Sequence, residues 1–351
     1  MVRASATTTE TFIACVLASG PSGLASRFRA VTVALVGLAF AGAIVGCGSA
    51  PPPPPRPREP PPRTMVVNLP RITLRATSYA ELHAWLAAAA RSSEPLPDAD
   101  LEASRKPYAR ALRDDVRDDL LATSLRAIAD CDTDRCAHDA LGQTPFGPSF
   151  DAALPMFVAR EWTTRADVAQ AGIDASRAAM GVELEPLVMR LSKDLGIAWP
   201  ESGATVPVVS QTPDVGREAL VPVALSARGS CFVGTRGEEP KLRDARVIDC
   251  VLTLATLSLR SKSAFATALA SELSPREADR AWQLTAIHAV AATVTAWAPK
   301  HVSAMRKSAL AVEEPALNWL AENWRARANG ESIAMFAHRW AEAYRDTVQA
   351  H

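Results

Sequence analysis

Three ionisable side chains stand where water is scarce. Asp249 lies inside the apolar run Val247–Leu259 (VIDCVLTLATLSL), and His288 lies inside Ala281–Ala298 (AWQLTAIHAVAATVTAWA). His301 follows just beyond the second run. On a helix, His288 shares a face with Leu284, Ile287, Ala291 and Val294. A buried carboxylate is costly unless it is paired or hydrogen-bonded, so Asp249 needs a partner. If the two runs pack as helices, Asp249 and His288 can meet, and such a pair has the make-up of a general acid and base. With His301, Glu313 or Glu314 it has the donor set of a metal site. The alternative is that His288 bonds a backbone carbonyl and Asp249 pairs with a nearby arginine such as Arg246.

Around these residues the common catalytic patterns are missing. No H-E-x-x-H, G-x-S-x-G, S-x-x-K, G-x-G-x-x-G or P-loop sequence occurs. The run His288-Ala289-Val290-Ala291-Ala292 resembles the zinc-binding helix of metallopeptidases in its first histidine alone. Alanine stands where the base and the second ligand belong, so a chain of that descent would be a degenerate hydrolase. Asp130, Asp132 and Asp134 begin like a calcium loop, but Arg135 replaces the required glycine and Leu141 the bidentate glutamate. They read as helix-end acids around a disulfide. No metal or cofactor is expected.

Setting aside Cys15 and Cys47 leaves four cysteines: Cys131, Cys136, Cys231 and Cys250. An even number beyond a secretion signal suggests disulfides. The local pairing, Cys131–Cys136 and Cys231–Cys250, is favoured because the C-D-T-D-R-C loop is short and turn-rich. A four-cysteine zinc site fits the C-x4-C and C-x18-C spacings poorly.

The secretion signal is read from residues 27–63. Arg27 and Arg29 precede seventeen uncharged residues, Ala30–Gly46, a basic region followed by an apolar one. About 20 residues are needed to span a bilayer, and Gly37, Gly42 and Gly46 weaken this stretch further. Ile44-Val45-Gly46-Cys47 then resembles the lipobox of bacterial lipoproteins. The resemblance implies cleavage before Cys47, fatty acylation of its thiol and anchorage in a lipid bilayer. Gly48, not Asp, implies sorting to the outer membrane, facing the periplasm. Twenty-six residues precede Arg27, and initiation near Leu24 would restore the usual leader length.

After Cys47, residues 51–62 hold nine of the 26 prolines. Such a segment favours stiff polyproline II, and residues 48–64 can reach roughly 50 Å from an anchor. The expected organisation is a leader over 1–46, a lipidated cysteine and tether over 47–64, and one globular domain over 65–351.

That mature chain carries 35 Lys and Arg against 37 Asp and Glu, which offers no electrostatic footprint for nucleic acid. The fold class expected is mainly α, a multi-helix domain with a small hairpin or sheet inserted near 205–234. Met65–Thr77 alternates loosely as an extended edge. Ser78–Glu81 and Ser274–Glu277 read as capping boxes. A long helix is expected over about 107–130, and helices separated by Pro315 near the end. The two apolar runs, having no polar face, should be central. Five of eight tryptophans fall in the last seventy residues, either as core or as an aromatic groove. The leading functional expectation is a non-enzymatic binding or scaffold module of the envelope, with an envelope protein as partner. The alternative is a hydrolase of degenerate metallopeptidase type, using His288 and nearby acids.

Overall fold

The structure is a computed structural model that describes residues 60–349 except 93, 97, 115–118, 182, 212–223 and 235. The leader, Cys47 and most of the proline run lie outside the described residues. The fold is mainly α with one four-stranded sheet. No described helix is long and apolar enough to cross a membrane.

The chain opens with β1 (Thr64–Leu69) and β2 (Ile72–Thr77), an antiparallel pair turning at Pro70-Arg71. Proline presets the first turn position, and the second requires a positive φ; Arg71 supplies it at 66°. Seven helices follow: α1 (Ser78–Arg91), α2 (Ala99–Asp114), α3 (Asp119–Ala129), α4 (Asp134–Leu141), α5 (Gly147–Arg160), α6 (Trp162–Met180) and α7 (Leu184–Leu195). The chain then returns to the sheet as β3 (Ala204–Val209), parallel to β2 from Ile72–Ala204 to Arg75–Pro207. The short β4 (Leu225–Ser226) pairs parallel to β3 from Val208, just beyond Pro207. The second half is α8 (Pro240–Ser258), a 3-10 turn (Arg260–Lys262), α9 (Ala264–Glu272), α10 (Pro275–Trp297), α11 (Ala304–Ala328) and α12 (Ile333–Gln349).

The region near 205–234 therefore contributes half of the sheet, and the hairpin at 64–77 supplies the rest, with β1 as its edge. On one face Ile72, Leu74, Ala76, Val206 and Val208 join the larger of two cores, which gathers α7 to α12 and much of α6. The smaller core lies among α1 to α5 and is rich in rings: Tyr79, Tyr108, Phe146, Phe150 and Phe157. As their composition demands, α8 and α10 are central: every residue of Val247–Thr256 and of Leu284–Ala291 is buried.

Three boundaries differ from the sequence expectation. Thr77, not Ser78, caps α1, its hydroxyl accepting the Ala80 amide at 3.0 Å. The helical run expected over 107–130 starts earlier, as α2 at Ala99, and reaches Ala129 in α3, with residues 115–118 outside the described residues. Asp98 makes that early start possible by accepting the amides of Asp100 and Leu101. The expected break at Pro315 is a kink within α11, where Glu313 leaves helical geometry (φ −139°, ψ 51°). The Ser274–Glu277 capping box is present as read, and Gly196 ends α7 with φ at 57°.

Both local disulfides are formed, Cys131–Cys136 and Cys231–Cys250, with Cα separations of 5.3 and 6.2 Å. The acids around the first meet arginines. Arg63 reaches Asp134 at 2.5 Å, while Arg75 pairs with Asp132 and lies 3.8 Å from Asp130. The same loop grips the chain where the proline run enters the domain. The Trp162 indole N–H donates to the Pro62 carbonyl at 3.2 Å, and the Ser78 amide donates to the Arg63 carbonyl at 2.8 Å.

The Arg71 carbonyl accepts both the Ala204 amide and the Trp199 indole, tying the β1–β2 turn to the start of β3. The position must keep its positive φ, which costs an arginine more than an asparagine. Arg71→Asn should raise the thermal unfolding midpoint by the equivalent of about 1 kcal/mol, read by circular dichroism. An unchanged or lower midpoint would contradict this account of the turn.

Candidate functional site

Two contacts fix how α8 and α10 lie. Lys241 sits over the Trp297 ring, 5.0 Å from its centroid, and Arg260 pairs with Asp279 at 3.1 Å. The helices are therefore antiparallel, and Asp249 falls at the level of Ala289 and Val290, beside His288. The sequence expectation that they would meet is corrected at the level of side chains. Asp249 Oδ2 is joined to His301 Nε2 at 3.1 Å. Both ring nitrogens of His288 are buried without a partner. Arg246 does not serve Asp249 either; it bonds Glu238 and the carbonyls of Ser230, Cys231 and Val233.

The reason lies in the loop after α10. His301 donates its amide to the Ala298 carbonyl in a tight turn, and Ser303 then caps α11 by accepting the Arg306 amide. This turn swings the His301 ring back onto α8. His288 instead meets the Trp324 ring edge-on, with centroids 5.1 Å apart. Burial holds His288 neutral and pulls its pKa down to about 3, the nearby Arg306 charge adding to the effect.

Asp249 begins a polar strip on α8. Thr253 and Thr256 follow at helical spacing on the same face, and Asp249 Oδ1 and both threonine hydroxyls are buried without partners. None of this faces solvent. Asp249 is 1% exposed, His288 3% and His301 7%. A substrate cannot reach these groups in this state. Glu313, once grouped with them, bonds Arg280 at 2.7 Å. Among the described residues, no three His, Cys, Asp or Glu side chains are placed to hold a metal ion.

Two further polar clusters were not foreseen from the sequence. In the smaller core, His83 Nε2 lies 2.7 Å from Ser124 Oγ and Nδ1 lies 2.9 Å from the Tyr108 hydroxyl. Ser124 donates its own proton to the Leu121 carbonyl. The serine therefore accepts from His83 Nε2–H, and Nδ1 accepts from Tyr108. A Ser–His–Tyr array has the make-up of an activated nucleophile, but all three are buried and the serine proton is committed. Burial pulls His83 down to about 3 and pushes Tyr108 well up. The sequence signal was a lone histidine within Leu82–Ala90, an otherwise apolar stretch.

The second cluster centres on Glu81. Its carboxylate accepts the Ser210 amide at 2.6 Å, the Ser210 hydroxyl, and Arg165 at 3.3 Å. Arg165 in turn covers the Trp85 ring at 4.6 Å. Burial raises the Glu81 pKa against these stabilising bonds. Because Glu81 serves Ser210, it is not the reciprocal partner of a capping box at the start of α1.

The aromatic groove is not found among the described residues. Trp319 stacks on Trp340 at 5.4 Å, Trp324 meets Phe336 edge-on, and Trp282 and Trp340 are fully buried. Compared with protein-family models, with curated proteins and with solved structures, the chain matches none.

The two neutral histidines make the fold acid-labile. An unfolded histidine gains a proton below about pH 6.5, whereas the folded ring does so only near 3. Their contribution to stability is complete above pH 6.5 and is lost as pH falls through that window. His288→Phe removes one such group without breaking a hydrogen bond. Its unfolding free energy at pH 7 should at least equal that of the parent. Between pH 6.5 and 3 its slope should be shallower by about 1.4 kcal/mol per pH unit. Parallel denaturation curves across that range would show that His288 is not held neutral.

Proposed function

We propose that this protein is a lipid-anchored protein of the bacterial envelope whose folded domain is a non-enzymatic binding or scaffold module. The observation that carries the second half is the sealing of the best catalytic candidates. Asp249 and His301 are used on each other, and His288 rests against Trp324 at 3% exposure. A hydrolytic reading would need a cleft in which His288 stands with two further ligand-type side chains. The described residues near His288 instead offer Trp324 and Arg306. The sealed histidine favours the module over the hydrolase.

The first half rests on Ile44-Val45-Gly46-Cys47, the apolar run before it and the proline tether after it. Two disulfides in the domain are consistent with an oxidising compartment. Several acyl chains on Cys47 would hold the protein firmly, since one chain alone anchors only marginally. Outer-membrane placement, facing the periplasm, follows from Gly48 by the sorting rule of that family.

Intact-mass measurement of the natural product tests the anchor. The expected mass is that of a chain starting at Cys47 plus fatty acyl groups. A free thiol at Cys47 on an unprocessed chain would overturn it. Metal analysis of the same preparation tests the module, with substoichiometric metal expected. One tightly held zinc per chain, lost together with a hydrolytic activity on His288→Phe, would restore the enzyme.

A further inference from the structure

Over much of the described surface, arginines are answered by carboxylates. Arg105 pairs with Glu102, Arg160 with Asp98, Arg177 with Asp174 and Arg339 with Glu331. One pole differs: the place where α8 begins, α10 ends and α11 begins. Residues 297–307 carry Lys300, Arg306 and Lys307 with no Asp or Glu. None of the three makes an ion pair among the described residues. Lys300 and Lys307 are exposed, and Arg306 is half-buried. Lys241 meets the Trp297 ring instead of an acid. The chain has 32 arginines and only six lysines, and three of the six stand here.

The same pole exposes apolar surface. Val302 is 74% exposed and Val233 66%, the two most exposed large hydrophobic residues described. Both segments are tied to α8. Arg246 and Asp249, one turn apart, bond the Val233 carbonyl at 2.8 Å and the His301 ring at 3.1 Å. Of the acids nearby, Glu238 is bonded to Arg246 and Asp244 to Arg243, leaving Glu239. Unanswered cations beside the protruding Val302 and the half-buried Trp297 match an interface of phosphate over hydrocarbon.

We propose that this pole docks on the face of an anionic lipid bilayer, Lys241, Lys300 and Lys307 meeting lipid phosphates and Val302 entering the headgroup layer. The inference deepens the anchored-module reading by giving the domain its own contact with the membrane, separate from Cys47.

The test uses the chain from residue 48 onward, which lacks both the anchor and the apolar run. Both cores and all described elements lie within it. It is sedimented with vesicles of phosphatidylcholine containing phosphatidylglycerol and with vesicles of phosphatidylcholine alone. Binding is expected on the anionic vesicles and to fall with added salt. Lys300→Glu with Lys307→Glu should weaken it at least about tenfold. Val302→Ser should weaken it at constant charge. Circular dichroism should match the parent, since the altered side chains are exposed and unpaired. Equal sedimentation with both vesicle types, none with either, or full binding by the folded double variant would overturn the proposal. No outcome depends on acylation, so the intact-mass experiment can fail while this one succeeds, or the reverse.

Discussion

Four residue pairs, Ile72–Ala204 through Arg75–Pro207, set where everything else goes. They join strands about 130 residues apart in parallel, so the seven described helices must fit between them. Parallel neighbours require a long crossover, and this one is long enough to enclose a core of its own. The second core forms where α6 and α8 cover the sheet face made by Ile72, Leu74, Val206 and Val208. Glu81 secures the join, because its buried carboxylate holds Ser210, the residue just after β3. Without that strand pairing, Glu81 would be a buried charge with little to satisfy it.

Burying Asp249, His288 and His83 trades chemistry for shape. A histidine kept neutral by its surroundings cannot serve as an acid, and a carboxylate bonded to a sealed imidazole cannot receive a proton from a ligand. These groups instead specify packing. Asp249 draws the 298–303 turn onto α8, and so places the start of α11. His83 binds α1 to α2 and α3 through Tyr108 and Ser124. Polar contacts of this kind have one best geometry, whereas apolar contacts tolerate many.

What was legible in the sequence was local. Ser274 and Glu277 lie three residues apart and cap α10 as read; the cysteines close at separations of 5 and 19 residues. The apolar stripes of α8 and α10 announced their central place. The misread features depended on partners far along the chain. Glu81 looks like a local cap but bonds 129 residues away. Asp249 and His288 come level with each other, yet a six-residue turn decides that His301 gets the carboxylate. Pro107 suggested a helix start because Asp98, which sets the true one, stands beside Pro95 and Pro97. The sheet was underestimated because Met65–Thr77 alternates weakly, and its pairing with β3 leaves no sequence trace.

The grip on residues 62 and 63 has a mechanical side. Force applied to the chain before residue 62 meets Trp162, Ser78 and Asp134 before it meets any strand. Asp134 opens α4 within the segment cross-linked by Cys131–Cys136, which Arg75 fastens again to β2 through Asp132. A pull on the chain at Pro62 is thus spread over α1, α4, α6 and the sheet, and the edge strand β1 is spared from being peeled off one hydrogen bond at a time.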